Sequence, residues 1–173
     1  GTALRMATRP RPNVTLLDLV VLPLTQRQLL LPASALAEVL PKWQSRPLPE
    51  TPQWCAGELE WRQRRLPLID FERWSGGPDT PGRWLVVCNR SQDDLPFSHY
   101  GVLLAGRPRL LRLRSNQLRG IPTPSDAGIG AMTLVEGERY AIPDLMALER
   151  QIDQAMRGTR LREAAGQSPV KPD

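Results

Sequence analysis

The eighteen prolines of this chain fall mostly between its apolar runs, not inside long periodic segments. Proline fixes φ and offers no backbone donor, so this punctuation favours short strands over long helices. Short runs bounded by Pro, Gly, Asn or Asp are expected as strands at Leu16 to Leu24, Gln28 to Leu31, Ala56 to Trp61, Arg65 to Phe71, Trp84 to Asn89, Tyr100 to Leu104, Arg109 to Leu113, Ala131 to Val135 and Arg139 to Ile142. Many short strands suggest small barrels. The clearest local signal is "TLVEGERYAI", where β-prone residues flank Glu136, Gly137 and Glu138, and Gly137 is free to take positive φ in a tight hairpin.

Two helices are expected against this background. "ASALAEVL" follows Pro32, has Ser34 as its N-cap and Leu36, Val39 and Leu40 on one face, and ends at Pro41. The second starts near Asp144, where Leu145, Leu148, Ile152 and Met156 form one stripe for docking on the barrels. Residues 158–173 cannot bury much and are expected as a flexible tail, as are residues 1–13 at the other end. "SGGPDTPG", Ser75 to Gly82, reads as a linker between two halves of one domain spanning residues 14–157.

A length of 173 residues is enough for one domain or two small subdomains sharing a core. The net charge of +5 comes almost entirely from arginine, which suits carboxylates, phosphates and aromatic faces. Cys55 and Cys88 lie in apolar sequence without zinc or disulfide spacing, so buried reduced thiols and a cytoplasmic location are expected. No apolar run reaches the roughly 18 residues of a membrane span, and the opening "GTALRMATRPRPN" lacks the apolar centre of a signal peptide.

The chemistry of catalysis is thin. There is no phosphate loop or nucleophile elbow, and no convincing carboxylate pair. His99, the only histidine, stands beside Ser98, but neighbours on a strand point to opposite faces, so a direct hydrogen bond between them is not expected. One His and two distant Cys residues do not make a metal site, and no cofactor is implied. Asp70, in "LPLIDF", is read as ending its strand and accepting backbone N–H groups in the turn from Phe71 to Trp74. Of the tryptophans around it, Trp84 is assigned to the core and Trp61 to an interface at a hairpin tip.

Gly57, an Arg five residues on, and then "LPLIDF" together resemble the central motif of CheW-like domains, which runs as Gly, strand residues, an Asn-Leu-Arg-Gly turn and a "VPIVDL"-type strand. Further pieces follow in order: "LLLPASALAEVLP", "PLPETPQWCAGEL", "YGVLLAGRPRLLRLRSNQL" and "GAMTLVEGERYAIPDLMALE". The resemblance covers roughly Val14 to Ile152. The chain departs from the pattern where the turn reads Glu60, Trp61, Arg62, Gln63 without its glycine, at Ala105 in place of an Asp, and at Pro143. It is thus similar to divergent members such as the auxiliary couplers of pilus-linked chemosensory systems.

The resemblance implies a mainly β fold of two small SH3-like barrel subdomains sharing an apolar seam. It also implies a non-catalytic adaptor that bridges the cytoplasmic tips of chemoreceptors and a CheA-type histidine kinase. By carry-over, Gly57, Arg62 and Glu38 take part in coupling, with Leu36 and Val39 offering apolar contact beside Glu38. Arg62 can fork onto a partner carboxylate, or be a solvated turn residue. Gly57 can admit a partner's backbone, or serve a bulge needed only for folding. Glu38 is either a partner contact or part of a solvated face. The rival is a nucleic-acid-binding barrel, in which Arg62, Arg64 and Arg65 act with Arg107, Arg109, Arg112, Arg114 and Arg119 on phosphates. The second arginine group has no aromatic side chain within it for base stacking.

Overall fold

The computed structural model describes residues 14–125 and 127–166, with side chains as far as Thr159. Twelve strands form two six-stranded sheets. The chain begins in the first sheet with β1 (Leu16–Pro23) and β2 (Gln28–Pro32), then crosses to the second with β3 (Leu36–Leu40), β4 (Gln44–Arg46), β5 (Cys55–Trp61), β6 (Arg64–Ile69), β7 (Trp84–Asn89) and β8 (His99–Leu104). It returns with β9 (Arg109–Arg114), β10 (Arg119–Ile121), β11 (Ile129–Val135) and β12 (Glu138–Pro143). The sheet orders are β10-β11-β12-β2-β1-β9 and β3-β7-β8-β6-β5-β4. Each contains one parallel contact, β12 with β2 and β6 with β8, among antiparallel pairs.

The near-continuous apolar runs have a simple cause: these strands are covered on both faces. From β1, Val20 and Leu22 enter a central cluster while Leu19 and Val21 enter another enclosed by the first sheet. From β7, Val86 and Cys88 join the central cluster, and Leu85 and Val87 fill the second sheet with Leu59, Leu66 and Leu68. Two small cores thus flank a seam that both sheets share, as expected for two subdomains. Helix α2 (Leu145–Gly166) closes the seam with Leu148 and Ile152. It also brings in a buried carboxylate, Glu149, which accepts from the Ser91 N–H at 2.8 Å, the Ser91 hydroxyl at 2.9 Å and the Tyr100 hydroxyl at 3.0 Å. Three donors therefore serve the buried carboxyl group.

All nine expected strands are present with small shifts at their ends, and β11 and β12 form the expected hairpin on Glu136 and Gly137, both at positive φ. Three expectations are corrected. "ASALAEVL" is not a helix: Ala33–Ala35 make a single 3-10 turn without a side-chain cap, and Leu36–Leu40 form β3. Pairing of Leu36, Glu38, Val39 and Leu40 along β7 decides for strand over the helical spacing of the leucines. The C-terminal helix runs on to Gly166 instead of fraying beyond Gly158. Finally, Ser75 to Gly82 does not divide the halves, because β5 and β6 before it and β7 and β8 after it belong to one sheet. The strands β4 and β10, both short, were not expected. Residues 1–13 and 167–173 lie outside the described residues.

Asp70 takes its expected role. It caps α1 (Phe71–Trp74), accepting from the Arg73 N–H at 3.2 Å, and receives the Thr80 N–H and hydroxyl at 3.0 Å each. Phe71 accordingly belongs to the helix and not to the preceding strand. The next residue, Glu72, is buried and accepts from the backbone N–H groups of Thr25 and Gln26, tying α1 to the β1–β2 turn.

Candidate partner-binding face

The β5–β6 hairpin sets the geometry. Trp61 pairs with Arg64, leaving Arg62 and Gln63 as a two-residue loop with φ of 48° and 63°. A type I′ loop needs both residues in the left-handed region, which suits the right-handed twist of the strands but costs residues that carry a Cβ. The turn geometry survives without its glycine.

From this position the Arg62 guanidinium lies 4.5 Å from the Trp61 ring centroid and donates to Glu38 Oε1 at 2.8 Å. Glu38 comes from β3, at the edge of the same sheet, so the curl of the sheet brings a strand 24 residues away to the hairpin tip. The ion pair is open to solvent, with 65% of the Arg62 side chain and 35% of Glu38 exposed. Val39 beside it is exposed, whereas Leu36 packs partly against the central cluster. Glu38 and Arg62 therefore meet at one accessible place beside the hairpin tip, while Val39, the next residue of β3, points to the other face of that strand.

Two expected site residues stand differently. Trp61 is not an exposed tip: it is buried in the second sheet's core beside Leu59 and Leu66, with its ring centroid 4.8 Å from that of His99. The alternation Gly57, Leu59, Trp61 on one face of β5 was a period-two signal for this. Gly57 offers no open face to a partner, because a Cβ there would overlap the Arg46 carbonyl and press on Pro47. Its φ of 130° and the register shift between Cys55 and Gly57 mark a β-bulge. The close backbone approach that glycine permits is made by the chain's own β4 end.

Sequence reasoning missed the neighbours of this edge. Ser98 Oγ lies 2.7 Å from His99 Nδ1, contrary to the expectation that the two could not meet. The reason is that β8 starts at His99, so Ser98 precedes the strand and the alternation rule does not govern it. Arg64 also donates to Ser98 Oγ, at 3.2 Å. Burial holds the His99 imidazole below its ordinary pKa, helped by the charges of Arg64, Arg62 and Arg90. His99, Asn89 and Ala37 complete a groove of about 380 Å³ with Trp61, Arg62 and Arg64. Nothing in the local sequence places His99 against Trp61, because that contact depends on the parallel pairing of β6 with β8.

Both thiols are buried, as expected, and burial pushes Cys88 up to about 12 and raises Cys55. Three of the second arginine group are engaged by other side chains. Arg112 pairs with Asp18, Arg109 donates to Tyr140 and Gln28, and Arg107 stands over Trp84, which is half-buried against the central cluster.

The sequence matches the CheW-like domain family over residues 18–152. Among solved structures the fold is similar to the scaffolding protein TtCheW from Thermoanaerobacter tengcongensis, with a TM-score of 0.63 and 16% identity over 76% of this chain and 90% of that one. A comparison with curated proteins finds no match.

Proposed function

The chain belongs to the CheW-like domain family, and from that membership we propose that it is a non-catalytic adaptor coupling chemoreceptor signalling tips to a CheA-type histidine kinase, in chemotaxis or pilus-linked motility. Its place is the cytoplasm, at membrane-associated receptor arrays. No helix among the described residues is long and apolar enough to cross a membrane.

The observation that carries this reading is the Arg62–Glu38 pair at the hairpin tip. Two residues that the family resemblance assigns to coupling, distant in sequence, meet in a solvent-open pair beside the hairpin tip. An exposed ion pair of this kind sets orientation and specificity more than bulk affinity, which fits an adaptor working by many linked weak contacts. Gly57 then serves coupling indirectly, by shaping the strand that ends in Trp61 and Arg62.

The test is a pull-down with the purified protein against two baits, the regulatory domain of the cognate CheA-type kinase and the cognate receptor tip. Retention of at least one is expected, and recovery of neither overturns the reading.

A further inference from the structure

A second and larger groove, of about 790 Å³, runs along the hairpin on the side of the β3–β4 connection. Four cations line it, Lys42, Arg62, Arg64 and Arg65, against Glu60 as the one acid. Arg62 is held by Glu38 and Arg64 by Ser98, but the side chains of Lys42 and Arg65 make no hydrogen bond or ion pair among the described residues. The Trp61 ring also lines the groove, with its indole N–H buried away from solvent. The wall therefore carries an excess of positive charge, with the Gln44 and Gln63 amides and Glu60 as its side-chain acceptors.

We infer that this groove docks an acidic protein segment, an Asp- or Glu-rich stretch whose carboxylates meet Arg65 and Lys42. Carboxylates match the requirement from both sides, since they accept only and carry the opposite charge. Guanidinium forks take them in two-point contacts. A nucleic-acid strand fits less well, because binding without base readout relies on open aromatic faces as well as charge. Here Arg62 and His99 lie against the Trp61 ring, and Trp43 is partly buried against Leu59 and its neighbours. The inference needs the groove alone and stands whichever partners the edge at Glu38 couples.

The test is fluorescence anisotropy of a labelled octaglutamate peptide with the full chain, at low and moderate salt, beside a labelled eight-residue oligothymidylate. Two double variants separate the groove from net charge: Lys42→Gln with Arg65→Gln, and Arg119→Gln with Arg139→Gln on the other sheet. Octaglutamate is expected to bind, to weaken at least about fivefold in the groove variant and to change less than about twofold in the control, with thermal midpoints unaltered because these side chains are exposed. Absence of octaglutamate binding overturns the inference, as does equal weakening in both variants. Tighter binding of the oligothymidylate would also overturn it, in favour of a nucleic-acid surface.

Discussion

At Gly57 the backbone conformation and the neighbouring carbonyl both exclude a side chain. Gly57→Ala is expected to cost about 3 kcal/mol or more, from strain at positive φ together with overpacking, read as a drop in the urea midpoint. Arg62 is the opposite case. Its side chain is mostly exposed, both in the pair with Glu38 and where it lies over the buried Trp61 ring, so Arg62→Ala is expected to lose no more than about 1 kcal/mol while reducing retention on the coupled partner. A larger loss would make Arg62 a structural residue, and undiminished retention would remove it from the coupling edge. His99 gives a pH prediction. Its folded-state pKa is depressed, so the neutral ring is the folded form and protonation favours the unfolded chain. Its contribution is complete above the ordinary value of 6.5, falls as pH drops through that value, and levels once the folded ring also protonates. His99→Gln should flatten that part of a stability profile, and the His99 ring proton should titrate below 6.5 by NMR. Gly57 and Arg62 stood out in the sequence only through the family resemblance, and the sequence did not say that Gly57 faces inward, because the covering strand β4 carries only exposed polar residues and gives no apolar signal.

At the scale of elements, the β5–β6 loop is strained where the β11–β12 loop is not to the same degree. Both are two-residue loops at positive φ, yet the second places Gly137 where the first has Gln63. Gln63→Gly is expected to raise stability by about 0.5–1 kcal/mol, the relief of a left-handed residue less the entropy that glycine adds to the unfolded chain. An unchanged urea midpoint would show that the loop carries no such strain. The strands with alternating or continuous apolar runs were readable because their burial is written in their own residues. β3 was not: Leu36, Val39 and Leu40 carry helical spacing, and only hydrogen bonding to β7, 52 residues downstream by the Leu36–Cys88 register, turns them into a strand. The helical spacing at Leu148 and Ile152, by contrast, was sufficient, since α2 buries that stripe and needs no ladder.

For the molecule as a whole, the central cluster takes side chains from both sheets and from α2, so neither subdomain has a complete core alone. Tryptophan fluorescence, which reports on Trp43, Trp54, Trp61, Trp74 and Trp84 near the second sheet and the seam, should therefore show the same urea midpoint as far-UV circular dichroism, which reports on both sheets. Separate midpoints would mean that the seam does not couple the halves. The chain's path adds a consequence in time. The first sheet is assembled from the two ends of the described chain, with the Thr15 N–H bonded to the Ser115 hydroxyl 100 residues on, whereas the second sheet is built from one uninterrupted segment. During synthesis the β1–β2 hairpin leaves the ribosome first and must wait, its apolar faces uncovered, until β9 to β12 have followed, while the second sheet can form in the interval as the surface on which the early hairpin rests.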